Sequence, residues 1–139
     1  MKNTFVWVVV MLCTLNINAA DKKNLIVPAN VKAVFQKEFP GAAHIKWEKE
    51  RGSYEAAFTN SGKKMSVLYS PGGIKEETEV SIPIASLPAP AKKFAEAKGK
   101  IKDAAEITRA DGSTVYEAEV NGKDLIFDKN GTFIKEVKD

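Results

Sequence analysis

The chain has 139 residues, with 21 Lys and Arg against 18 Asp and Glu, one histidine and one cysteine. A formal charge of +3 is too small to mark a ligand for nucleic acid or for an anionic membrane surface. His44 and Cys13 alone cannot furnish a zinc site or a Cys/His nucleophile.

Residues 1–20 read as an export signal. Lys2 precedes an apolar run from Phe5 to Leu15, and the small residues Ala19 and Ala20 follow. The run is too short for a membrane-spanning helix, which needs about 20 apolar residues. Cleavage fits equally after Ala19 or after Ala20. Cys13 follows Leu12, not the small residue that precedes a lipid-modified cysteine, so it is expected to leave with the signal. The expectation is a mature chain of residues 21–139, one domain without disulfides, periplasmic or secreted, with no stable membrane insertion. Such a chain must rely on its hydrophobic core.

The first helix is predicted to start at Pro28, which suits a first helical position. Val31, Val34, Phe35 and Phe39 form its apolar stripe, and Pro40-Gly41 stops it. Four strands follow. Ala43, Ile45 and Trp47 alternate with His44, Lys46 and Glu48, and the turn "ERGS" leads to Tyr54, Ala56 and Phe58, which alternate with Glu55, Ala57 and Thr59. The turns "NSGK" and "SPGG" then bound strands at Met65–Tyr69 and Ile74–Val80. "SIPIASLPAP" connects to a second helix beginning at Pro88, with Ala91, Phe94, Ala95 and Ile101 on its stripe and Gly99 at its end or bend. Further strands are expected around Tyr116, Ala118 and Val120, at Leu125–Asp128 and at Thr132–Val137.

The two halves repeat one another. Tyr54-Glu55-Ala56 returns as Tyr116-Glu117-Ala118, Gly62-Lys63 as Gly122-Lys123, and Ile74-Lys75-Glu76 as Ile134-Lys135-Glu136. "FPGAAHI" at 39–45 aligns with "IKDAAEI" at 101–107. The expected fold class is therefore α+β: two tandem α-β-β-β-β repeats, 25–80 and 84–139, sharing one antiparallel sheet of about eight strands with the helices on one face.

No G-x-S-x-G elbow, H-E-x-x-H pair or phosphate loop occurs. No catalytic, cofactor-binding or metal-ligating residue is assigned. Glu117 and Glu119 share a strand face and could serve acid–base chemistry, but such pairs are more often the wet side of a half-buried strand. Lys46 and Glu55 fit cross-strand charge pairing in the same way. Trp47 lies in phase with Ile45, which favours core burial, but its alignment with Arg109 of the second copy leaves a half-exposed place at the rim of the sheet as the alternative. Leu68 and Ile126 fall out of phase with the core residues of their strands, as apolar spots on the open face or under a loop. Lys46, Trp47, Glu55, Leu68, Glu117, Glu119 and Ile126 are thus the candidate protein-binding sheet face.

The order of helix and hairpins, the Pro-Ala helix starts, the Phe-Pro-Gly-Ala break and the paired Tyr-Glu-Ala strands resemble the PepSY-like family. Its members are exported bacterial proteins whose tandem repeats resemble the beta-lactamase-inhibitor protein fold. The resemblance spans Leu25 to Asp139. It implies a periplasmic, non-catalytic binding module without cofactor, whose partner is another envelope protein or peptide. Related modules restrain hydrolases, so restraint of an envelope hydrolase or peptidase is the implied role. The inhibitor's disulfides and inhibitory loops have no counterpart here, and its target is not carried over. The alternative is a carrier of a small ligand or lipid, with a pocket between helices and sheet. An enzyme built on Glu117 and Glu119 or on His44 is the least supported reading.

Overall fold

The computed structural model describes residues 25–138. The expected signal at 1–20, its cleavage position and Cys13 lie outside the described residues. The elements are α1 (Ala29–Glu38), β1 (Ala43–Glu50), β2 (Ser53–Asn60), β3 (Lys63–Tyr69), β4 (Lys75–Ser81), a 3-10 turn (Ile84–Ser86), α2 (Ala89–Lys98), β5 (Ile101–Arg109), β6 (Thr114–Val120), β7 (Lys123–Asp128) and β8 (Phe133–Lys138). The strands form one eight-stranded antiparallel sheet in the order of the chain, as the doubled α-β-β-β-β pattern predicts.

Pro28 and Pro88 stand one position earlier than expected. Each is the residue before the helix, with extended ψ of 143° and 136°. Their carbonyls accept the first helical hydrogen bonds, from Lys32 N at 3.1 Å and Lys92 N at 3.0 Å. A proline has no N–H to offer, but at this position only its carbonyl is needed.

Both helices cover the same face. Under α1, Phe35 meets Trp47 and Phe58 edge-on at ring separations of 5.2 and 5.0 Å. Under α2 the contact residues Ala91 and Ala95 are completely buried, so this helix lies closer to the sheet. Phe94 stacks on Phe133 at 4.6 Å along its flank. The β7–β8 turn reaches the same helix: a Cβ on Gly131, whose φ is +84°, would stand 2.9 Å from Ala91 N. Polar ties complete the docking. Tyr69 donates to Glu38 at 2.7 Å, and Asn121 caps α2 by donating to the Lys98 carbonyl at 3.2 Å.

Strand pairing corrects the register of the repeat. Trp47 pairs with Ala56, and Ala118, the counterpart of Ala56, pairs with Ala104. Ala104, not Arg109, is therefore the second-copy equivalent of Trp47. Likewise Ser70 N donates to the Ile74 carbonyl where Asp128 N donates to that of Thr132, so Ile74 corresponds to Thr132 and not to Ile134. The alternation expected for the first strand also breaks. β1 carries an extra residue between Ala43, opposite Thr59, and Lys46, opposite Ala57. His44 adopts a φ of 56° there. This bulge turns Ala43 to the face opposite Trp47 and leaves Ile45 44% exposed. β5 has a similar irregularity between Ile101 and Asp103.

Candidate functional site: the open face of the sheet

Directly opposed residues on neighbouring antiparallel strands share a face. On the face away from the helices, one row runs Glu48, Glu55, Leu68, Glu77, Arg109 across five strands. A second runs Lys46, Ala57, Ser66, Glu79, Ile107, Val115. A third runs Ser81, Ala105, Glu117, Ile126, Lys135, and Glu119 faces Asp124 beyond it.

This face is open to neither helix, yet its floor is dry. Leu68 is 2% exposed, Ile126 0% and Glu79 1%. Ile107, Val115 and Ile126 form an apolar cluster of their own with Val137 beside it. Curvature of the sheet accounts for the burial. Lys135 on β8 is close enough to Arg51, in the β1–β2 turn, for the two charges to repel. In a flat sheet with strands about 4.8 Å apart they would be roughly 30 Å from each other. Glu79 in the middle likewise feels Glu55 and Glu50 on one side and Asp124 on the other. The sheet therefore curls into a trough whose walls are β1–β2 and β7–β8.

The trough is rich in acid. Glu55, Glu77, Glu79, Glu117 and Asp124 are all buried. Burial pushes the Glu55 carboxyl up to about 7, against a smaller opposing pull from Ser66, and Glu50 and Glu48 push it further. Burial likewise raises Glu77 to about 7, although the Arg109 guanidinium, with Nε 3.7 Å from Oε1, holds it back. Glu79 is raised well above the usual carboxylate range, by burial first and then by Glu55, Asp124 and Glu77. Neither of its oxygens has a hydrogen-bond partner among the described residues. Burial lowers Lys135, and Arg109 and Arg51 lower it further. Among the described residues, no group of three or more His, Cys, Asp or Glu side chains could hold a metal ion.

The seven residues expected on this face are divided. Lys46 is at the accessible rim, Glu119 is largely buried and ion-paired with Lys102 at 2.8 Å, and Glu55, Leu68, Glu117 and Ile126 are sunk in the floor. Leu68 and Ile126 are not exposed apolar spots, because the curled sheet packs over them. Trp47 belongs to the other face, half-buried against Phe35. Its pairing with Ala56 fixes that side, and the supposed match to Arg109 does not exist. Sequence reasoning counted Glu77 and Glu79 among carboxylates on the wet side of a strand and passed over Asp124. Glu77 and Glu79 are two apart in β4, the spacing of a shared face, but only the long-range curl separates a buried pair from a solvated one.

Among the described residues no helix is long and apolar enough to cross a membrane. The fold has close counterparts among solved structures. A Bacteroides eggerthii protein described as periplasmic superposes with a TM-score of 0.71 at 18% identity, over 80% of this chain and 88% of that one. A DUF2874 family protein of Bacteroides uniformis gives 0.67 at 18% identity, over 78% and 87%. A BLIP-like protein of Bacteroides fragilis gives 0.60 at 21% identity, over 82% and 87%. No curated protein matches the sequence. The family model for beta-lactamase-inhibitor-like, PepSY-like proteins matches it twice, over residues 18–75 and 52–135. Two overlapping matches on two halves that share one sheet leave a plain conclusion: the chain belongs to the PepSY-like family of beta-lactamase-inhibitor-like proteins.

Proposed function

We propose that this protein is an exported, non-catalytic module that binds another envelope protein or peptide through the open side of its sheet, and that restraint of a hydrolase or peptidase is its role. The observation that carries the reading is the sheet face that neither helix covers, with the accessible charged side chains of Lys46 and Glu48 along its β1 rim. Family membership and the periplasmic description of one structural relative support the compartment. The carrier alternative gains nothing from the space between α1 and the sheet, which is filled by aromatic rings 4.8–5.6 Å apart.

Crosslinking of the tagged protein in the native envelope, followed by mass spectrometry, tests the reading. The expected result is one dominant protein partner near equal stoichiometry, crosslinked through Lys46 in preference to Lys93 on α2. Reversing the charge at Lys46 or Glu48 should weaken capture while leaving the fold intact. Recovery of a retained small molecule and no protein would overturn it in favour of a carrier.

A further inference from the structure

The floor of the trough concentrates buried carboxyl groups from both repeats. Five acidic side chains are buried there, and Arg109 and Lys135 are the cations that act on Glu77. Glu79 is the extreme case. It is 1% exposed, both of its oxygens lack a hydrogen-bond partner among the described residues, and the four groups that act on it most strongly are Glu55, Asp124, Glu77 and Glu50. Its neighbours across the ladder, Ser66 and Ile107, bring no charge. A buried carboxylate without a partner is costly, and a cation supplied from outside relieves that cost.

We propose that the trough is a receptor for a basic side chain, a Lys or Arg presented by the protein partner, with Glu79 at its floor and Glu55 and Glu77 as flanking acceptors. The inference rests on the reading of this face as a protein-binding surface. A metal ion fits poorly, because the acids are not gathered closely enough to share one. A long side chain with a terminal guanidinium fits better, since it reaches past the rim and its fixed fork of donors suits a carboxylate. Lys135, half-buried at the β8 wall and facing Glu77, is the side chain that must swing aside.

Entry of the cation favours the ionised acids, so binding expels protons and strengthens as pH rises. The groups that set this balance are Glu48, Glu50 and Arg51 of the first hairpin, Glu55 on β2, Glu77 beside Glu79 on β4, Arg109 on β5, Glu117 on β6, Asp124 on β7 and Lys135 on β8.

The test is titration of the purified protein with hexa-arginine at pH 5.5 and pH 8, followed by calorimetry and by NMR, with hexaglutamate and spermidine as controls. Hexa-arginine is expected to bind about tenfold more tightly at pH 8, shifting the amide signals of Ser66, Glu79 and Ile107. Glu79→Gln should weaken binding about tenfold and Lys135→Ala should strengthen it, with Glu77→Gln as the substitute should Glu79→Gln misfold by circular dichroism. No binding, binding indifferent to these variants, or spermidine binding as tightly as the peptide overturns the inference. Loss of peptide binding with an envelope partner still crosslinked to the open face would sink this inference alone, whereas a partner crosslinked only to the helix side would sink the underlying reading too.

Discussion

A carboxyl buried on a sheet makes stability depend on pH in a direction opposite to the common salt-bridged case. Glu55 and Glu77 ionise near 7 in the folded protein against 4.5 in a free chain, and Glu79 is displaced the same way. Below pH 4.5 both states hold their protons and the acids impose no penalty. Between 4.5 and 7 the unfolded chain loses protons that the folded protein keeps, so stability falls as pH rises; above 7 the penalty is complete. The melting temperature at pH 8 is therefore expected to lie several degrees below that at pH 5, a difference that thermal melts followed by circular dichroism will show. Glu79→Gln should raise the melting temperature at pH 8 and leave it nearly unchanged at pH 5. A melting temperature that climbs with pH across this range would contradict the buried-acid account. Two glycines offer a second contrast. Gly112 and Gly131 both have positive φ, +80° and +84°, but a Cβ on Gly112 meets nothing within 4 Å while one on Gly131 strikes α2. Denaturant titration should show Gly112→Ala costing about 1 kcal/mol, from the backbone alone, and Gly131→Ala distinctly more.

The two helices reach the same end by different packing, and their variants should diverge accordingly. α1 rests on Phe35, which touches Phe39, Trp47 and Phe58, so Phe35→Ala is expected to cost about 3–5 kcal/mol by leaving a cavity. α2 rests on Ala91 and Ala95 with no room beneath them, so Ala91→Leu should cost about 1–3 kcal/mol by overpacking. Urea unfolding of the two variants checks both. The helices and most strands were legible in the sequence, because periodicity and turn residues are local signals, but Ile101, expected on the second helix, opens β5. The register of the repeat was not. Ile74-Lys75-Glu76 and Ile134-Lys135-Glu136 look alike but occupy different rungs, because the β5–β6 hairpin is longer than β1–β2 and β6–β7 is shorter than β2–β3. Nor was the trough legible. Charged residues alternating along β4 read as a solvated face, and only twist and bulges accumulated over eight strands bring Arg51 towards Lys135 and shut water away from Glu79.

The described residues share one continuous sheet despite the doubled sequence. β4 pairs with β5 from Glu77–Arg109 to Ser81–Ala105, and the trough floor draws side chains from strands of both repeats. The first repeat alone would bare the β4 edge and open the floor around Glu79 to water. Residues 25–81 expressed by themselves are therefore expected to be unfolded by circular dichroism, while the full protein unfolds in a single transition. Sheet order that follows chain order has a further consequence, for time and not for stability. Every strand finds its ladder partner in the segment just before it or just after it, so no pairing waits for a distant part of the chain. A polypeptide emerging N-terminus first can zip each hairpin onto the last as it appears, and its exposed growing edge is covered by the next strand to arrive. Refolding should accordingly be fast for a protein so rich in strand, because loop closure is short at every step but the β4–β5 connection through α2.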